Sequence, residues 1–259
     1  MAPVKFECSN GVGRIIFDRP QALNAIDVAT AECLLDHCRK LTSLQGLRVV
    51  TLSGTGRSFM AGGDLAAFDQ ASDPGALACL IIEPLNEALG LLAALPLPVI
   101  GSVHGAVSGA GMSIAMGCDL TLAAADARFC LAYIGIGASL DAGASWHLLR
   151  QLGLQRAMQL ALLNEVLGAE EAQRLGLIAK AVPAPRLEAE TAALAMRLAN
   201  GPSFAYGQIK ALLRGAAQRS LDEQMMVEKL AFQACAQTTD FREGIAAFFG
   251  KRKAQFTGA

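Results

Sequence analysis

Residues 47–64 read LRVVTLSGTGRSFMAGGD, and residues 99–112 read VIGSVHGAVSGAGM. In each, an apolar run rich in β-branched residues stops at a glycine-rich turn. Leu47–Ser53 lies between Gly46 and Gly54 and reads as a buried strand. Val99–Val103 follows Pro96 and Pro98 and reads the same way. Asp64 looks like the N-cap of a helix after the first loop, and a short helix follows the second. Two strand–loop–helix units in one chain predict an α/β core.

The rest of the chain extends this reading. Gly11–Phe17 reads as a strand closed by Asp18-Arg19-Pro20. Asp27 caps a helix whose apolar residues Val28, Ala31, Leu34, Leu35, Cys38 and Leu41 fall at helical spacing. A helix is expected from about Ala76 to Leu95, and a strand over Asp119–Ala124. From Ser145 onward the pattern is almost wholly helical, with one strand expected at Leu177–Val182. No linker or low-complexity segment divides the chain. The expected organisation is a βα-rich core over residues 1–195 and a helical region over 196–259.

Composition bounds the function. Of 259 residues, 53% are apolar and 17% charged, enough for a large core and too apolar for disorder. Lys and Arg number 22 against 23 Asp and Glu, so no basic excess exists to neutralise a nucleic acid. The seven cysteines are odd in number, scattered and without a CxxC pair, which suits a reducing compartment and buried thiols. Residues 1–17 lack the basic and apolar blocks of a secretory leader, so a cytoplasmic location is expected. Ala88–Cys118 contains no Asp, Glu, Lys or Arg, a longer span than the roughly 20 residues that cross a bilayer. Pro96, Pro98, Gly101, Gly105, Gly109 and Gly111 break it, so no membrane span is expected. No metal-ligand cluster and no nucleophile elbow are visible.

The two glycine loops are the candidates for chemistry. Neither is followed by the Gly-Lys-Ser/Thr of a phosphate loop. Taken alone, each reads first as a tight turn; the functional alternative is free backbone N–H groups aimed at an anion. Two such groups converging could hold the oxyanion of a thioester.

With these loops, the chain resembles the enoyl-CoA hydratase/isomerase, or crotonase, superfamily. The likeness covers Arg19–Ala25, Phe59–Leu65, His104–Ala106, Cys118-Asp119, Ala127–Phe129, Glu171–Ile178 and Phe248–Lys253, nearly end to end. Each motif is weak alone; their order and spacing are specific. The resemblance implies an α/β fold, a crotonase-like spiral of ββα units followed by C-terminal helices that trimerise, commonly as a dimer of trimers. It implies an acyl-CoA substrate, coenzyme A as part of the thioester, and no separate cofactor. Carried over by position, the oxyanion donors are the N–H groups of Gly63 and Ala110. Ala61 and Gly62 line the CoA site with Ala22 and Leu23. Lys251 and Lys253 fall in the tail that family members place near CoA phosphates, often across a subunit interface; by sequence alone they read first as a solvated helix end.

The departures set the chemistry. Hydratases of this family use two glutamates, at positions here held by Ser113 and Tyr133. Serine has no accessible anion and tyrosine titrates near 10, so ordinary hydration looks disabled. Asp141 remains, eight residues beyond Tyr133. The resemblance gives Asp at that place in dienoyl-CoA isomerases, in an aryl-CoA dehalogenase and in the ring-opening isomerase of phenylacetate breakdown, which the surrounding strings resemble most. Ile134, Ile136 and Leu140 surround Asp141 in sequence, which would desolvate the carboxylate and raise its basicity. The bland alternative is a helix N-cap before Ala142-Gly143-Ala144.

Four functions follow. The first is a double-bond isomerase with Asp141 as proton carrier. The second is a thioester decarboxylase using Tyr133, or a weak hydratase. A dehalogenase with Asp141 as nucleophile needs a histidine on Ala76–Leu95, which has none. The last is a non-catalytic CoA-binding protein. His104 is expected to order the second loop; His37 and His147 read as structural. Phe68 and Trp146 near Tyr133 would suit an aromatic or cyclic acyl chain.

Overall fold

Alternation along the first strands decides how the molecule layers. The computed structural model describes residues 2–258. Strand β1 (Val4–Ser9) turns back through Asn10-Gly11 to pair antiparallel with β2 (Val12–Phe17). Asp27 then caps α1 (Val28–Leu41), its carboxylate accepting the Thr30 N–H at 2.8 Å. Strand β3 (Val49–Gly54) joins β2 in parallel, and short α2 (Leu65–Gln70) and long α3 (Pro74–Ala94) follow. Next come β4 (Val99–Val103), β5 (Ala106–Ser108), α4 (Ala110–Gly117), β6 (Leu120–Ala124) and β7 (Arg128–Cys130). Then α5 (Ala144–Leu152), α6 (Leu154–Leu163), β8 (Leu167–Gly168), α7 (Ala169–Arg174) and β9 (Lys180–Val182) complete the core.

The strands form two sheets. The larger runs β1-β2-β3-β4-β6-β9, parallel from β2 onward. The smaller runs β5-β7-β8, and Met60 extends it through a single parallel bridge to Val107. Each turn of chain therefore places one strand in the large sheet, a short one in the small sheet, and then a helix. The turn recurs as β3–Met60–α2/α3, β4–β5–α4 and β6–β7–α5/α6. This is the ββα spiral expected from the motifs.

Within β3, Val50 and Leu52 point into the main core with Met60, Val103, Val107 and Phe129. Val49 points the other way, onto a second core with Val12, Ile100 and Leu122, which α8 (Leu187–Ala199) covers through Leu187, Ala195 and Ala199. A strand buried on both faces reads as a continuous apolar run, as the sequence does. Among the described residues, α3 is the one helix long and apolar enough to cross a membrane. It packs along α1 with Ile81, Leu85, Ala88 and Leu92 buried.

Three helices close the chain: α9 (Ser203–Ala216), α10 (Leu221–Ala236) and α11 (Thr239–Phe249). A buried lysine fastens α9 to the core. Lys210 Nζ donates to the carbonyls of Leu92 (2.9 Å) and Leu97 (3.0 Å) and pairs with Asp119 at 2.8 Å. Arg214 reaches the other Asp119 oxygen at 2.6 Å.

Several expectations shift. The strand expected over Leu177–Val182 shortens to Lys180–Val182. Gly176, at φ +80, closes α7 in a Schellman turn, with Leu177 N–H on the Ala172 carbonyl at 2.9 Å, so Leu177 and Ile178 belong to the turn. The division at residue 195 runs through α8; the separate helical region begins at α9. Strands β1, β5, β7 and β8 have no counterpart in the reading of the chain, because segments this short or this exposed carry no periodic signal.

Candidate active site

The first glycine loop is tied down by a buried asparagine. Asn24 has a left-handed backbone (φ 56). Its Nδ2 donates to the carbonyls of Thr55 and Ser58, both at 2.9 Å, and its Oδ1 accepts the Arg19 N–H at 2.8 Å. The Arg19 guanidinium pairs with Asp27 and Asp64, each at 3.0 Å, and donates to the Ala25 carbonyl at 2.6 Å. Residues 19–25 are thereby strapped to the loop. Ala22 and Leu23 lie in this strap, and the Ala61 N–H donates to the Leu23 carbonyl at 3.1 Å. Ala22, Leu23 and Ala61, expected together, are together.

Next, Ile26 bridges the loop on one side. Its N–H donates to the Gly62 carbonyl at 2.8 Å and its carbonyl accepts the Asp64 N–H at 2.9 Å. In such a parallel bridge the intervening residue turns its polar groups away. No acceptor among the described residues takes the Gly63 N–H.

The second loop meets the first at its glycines. Gly109, at φ +53, packs so closely that a Cβ there would come within 3.2 Å of the Gly62 Cα. A Cβ at Gly111 would meet the Met60 carbonyl at 2.7 Å. Ala110 opens α4, and no acceptor among the described residues takes its N–H either. Thus two free donors, Gly63 and Ala110, each lie one residue past the point where the loops touch. A helix N-terminus reinforces the second. His104 spans the loops, its Nε2 on the Gly56 carbonyl at 3.0 Å, the ordering role expected of it.

An acid–phenol pair lies one helical turn further. The Tyr133 hydroxyl donates to Asp141 Oδ1. Buried Ser113, on the first turn of α4, places its Oγ 3.2 Å from that hydroxyl and 3.4 Å from the Asp141 carbonyl oxygen. Burial raises the Asp141 pKa above its ordinary 3.8, and the Tyr133 bond partly offsets the rise. Burial and the Asp141 charge push the Tyr133 phenol upward, so it stays protonated and remains a donor. Asp141 Oδ2 has no partner among the described residues. The helix-cap alternative for Asp141 does not hold: α5 starts from Gly143 (φ +76), and Asp141 contributes only its backbone carbonyl, to the Ala144 N–H at 2.9 Å.

The family model for enoyl-CoA hydratase/isomerase matches residues 7–259. The chain belongs to that family. It is 38% identical over 255 residues to a protein of Rhodobacter capsulatus named "Probable enoyl-CoA hydratase", covering 98% of each chain. It is 37% identical over 256 residues to the 1,2-epoxyphenylacetyl-CoA isomerase of Escherichia coli K12, covering 96% of this chain and 95% of the relative. A crystal structure of an enoyl-CoA hydratase from Polaromonas sp. JS666 superposes with a TM-score of 0.91 at 30% identity, covering 98% of this chain and 99% of that one.

For an enoyl-CoA hydratase/isomerase, the remaining residues sort as follows. Phe68 lies against Gly63: a Cβ there would meet its ring at 3.5 Å. Trp146, expected near Tyr133, instead meets His147 edge to face and lies under Arg150, in a groove shared with Tyr206 and Leu213 of α9. Burial and the nearby Arg214 and Arg150 push His147 down to about 4, so it is neutral at physiological pH. Lys251 and Lys253 are exposed on a tail that folds back on α11, where Arg252 pairs with Glu243 at 2.6 Å. Among the described residues no group of His, Cys, Asp and Glu is arranged for a metal. Asn24 and Arg19 stood in a quoted motif without a role; their signal was the string Arg19–Ala25 itself.

Proposed function

We propose that the protein is an acyl-CoA isomerase that moves a carbon–carbon double bond by proton transfer through Asp141. The observation that carries this is the partly buried Asp141 carboxylate, held by Tyr133 through one oxygen with the other free, while the same Tyr133 hydroxyl lies 3.2 Å from Ser113 Oγ on α4, the helix that Ala110 opens. The thioester carbonyl accepts hydrogen bonds from Gly63 and Ala110. Asp141 removes a proton from the carbon flanking the double bond, and the electron pair delocalises onto the carbonyl oxygen as a dienolate. The two N–H groups stabilise that charge as it develops. Protonated Asp141 then returns the proton at the other end of the π-system, so the substrate neither gains nor loses atoms. Ala22, Leu23, Ala61 and Gly62 line the CoA side, with Lys251 and Lys253 toward its phosphates. No cofactor beyond the CoA of the thioester is required.

Hydration is disfavoured in this reading. Adding water needs a second acid/base group beside the double bond, and Ser113 and Tyr133 offer none that ionises near neutrality. Tyr133 spends its proton on Asp141, which also removes the reason to assign it decarboxylation.

The test is proton NMR in D₂O with enoyl- and dienoyl-CoA thioesters. The expected result is double-bond movement with deuterium entering the α or γ carbon, and little 3-hydroxyacyl-CoA from crotonyl-CoA. Asp141→Asn should lose exchange and isomerisation together, by about 10²–10⁴-fold, with CoA-ester binding kept. Near-normal turnover in that variant would remove Asp141 from the reaction and the proposal with it.

A further inference from the structure

Tyr133 does not place itself. The chain enters its turn through Ala132, which adopts a left-handed conformation at φ +62. That conformation crowds the Cβ against the backbone, so something must hold it. A side chain from a distant segment holds it. Asn164 Oδ1 accepts the Ala132 N–H at 2.9 Å and the Cys130 thiol at 3.3 Å. Its amide nitrogen faces Gly135, where a Cβ would come within 3.5 Å of it. Asn164 therefore bonds the chain just before Tyr133 and lies beside it just after. The same strand serves the oxyanion loop, because the Cys130 carbonyl accepts the Gly109 N–H at 3.0 Å.

Asn164 is the C-cap of α6, itself left-handed at φ 53 and ψ 40. A cap needs only that backbone, and glycine would serve as well. The side chain's bonds to Cys130 and Ala132 are surplus to capping.

We infer that Asn164 is a positioning residue for the active site: its carboxamide locks the Cys130–Gly135 turn so that the Tyr133 hydroxyl reaches Asp141. This rests on Asp141 being the proton carrier. The locked turn serves two ends, the grip on the carboxylate and the tether of Gly109 beside the Ala110 donor.

The test separates side chain from backbone. Asn164→Gly keeps the left-handed cap without strain and withdraws the acceptor. Its kcat for isomerisation should fall about 10–100-fold, with KM changing less than about threefold, because the reacting groups are displaced rather than removed. The acidic limb of its kcat profile should move to higher pH, since the Tyr133 bond no longer opposes the effect of burial on Asp141. Asn164→Asp retains an acceptor oxygen, and its plateau kcat should stay within about threefold of wild type. Tyr133→Phe should shift the limb by itself, and adding Asn164→Gly to it should shift the limb no further. If Asn164→Gly melts below the assay temperature, Asn164→Ser, whose side chain is too short to reach, is read in its place. A wild-type profile in Asn164→Gly, equal losses in the Gly and Asp variants, or additivity with Tyr133→Phe would each overturn the inference. Measured alongside, Asp141→Asn distinguishes the two levels. An inactive Asp141→Asn with a normal Asn164→Gly sinks only the positioning role, whereas an active Asp141→Asn sinks both.

Discussion

The most exposed physical claim at the residue scale is that Asp141 is kept in a place where its charge is unfavourable. Its folded pKa lies above 3.8 because burial penalises the carboxylate. A carboxyl with a raised folded pKa contributes its full stability below the unfolded value, where both states are protonated. That contribution is lost as pH rises through the folded value. At neutral pH the native Asp141 is therefore a liability that an amide would not carry. Asp141→Asn keeps an acceptor for the Tyr133 hydroxyl. The variant should melt about 1–3 °C higher than wild type at pH 7, with the difference shrinking as pH falls toward the unfolded value of 3.8. Thermal melts across that range check it; a variant less stable at pH 7 would mean the carboxylate is well solvated or well paired. Asp141 was legible in the sequence because two expected glutamates were missing and one acid remained nearby. Asn164 was not. An asparagine after an apolar helix looks like any C-cap, and its link to Ala132 crosses 32 positions of sequence.

Elements were legible in proportion to their burial pattern. Helix α1 follows from Asp27 and a regular apolar stripe, and its observed range, Val28–Leu41, matches that stripe. Strands β3 and β4 follow from β-branched runs between breakers. The short strands of the small sheet were invisible because a three-residue segment such as Ala106–Ser108 has no period to detect; partners far along the chain define it. How α9 is fastened was also hidden. Lys210 reads as one more helical lysine, yet it is buried, and burial lowers its pKa against the opposing pull of Asp119. Removing the acid leaves a buried cation unpaired, which typically costs about 3–5 kcal/mol. Asp119→Ala should therefore lower stability by that order in denaturant titration. Adding Lys210→Met should recover part of the loss, because an apolar chain of similar length needs no counter-charge. Equal stability of wild type and Asp119→Ala would show that the two backbone carbonyls alone satisfy Lys210.

For the whole molecule, the C-terminal helices are too apolar outside to be finished surfaces. Helix α10 buries only Ala231 while exposing Leu221, Met225, Met226, Leu230 and Phe232. At the end of α11, Phe248 and Phe249 are each 78% exposed. A second apolar face lies elsewhere, on α6, where Met158, Leu162 and Leu163 are exposed. Solitary exposed apolar residues are ordinary, but helices that bury one residue and expose five are not held by their own core. Two dissimilar apolar faces on one chain suit a head-to-tail contact, and a head-to-tail contact that closes makes a ring. The expected state is a trimer or a hexamer, with a light-scattering mass of three or six chains at micromolar concentration. Replacing Phe248 and Leu230 by Asp should break the assembly and lower the melting temperature together, since α10 and α11 would lose their cover. The tail adds a functional readout. Lys251 and Lys253 follow Phe249 within four residues, so burying α11 against another subunit carries both lysines to that subunit's surface. If they serve a CoA phosphate there, Lys251→Ala with Lys253→Ala should raise KM for the CoA ester about tenfold, leave kcat and the assembled mass unchanged, and make KM less sensitive to salt. A monomeric mass for the wild-type protein would refute the assembly. An unchanged KM in an intact assembly would return the two lysines to the role of a solvated helix end.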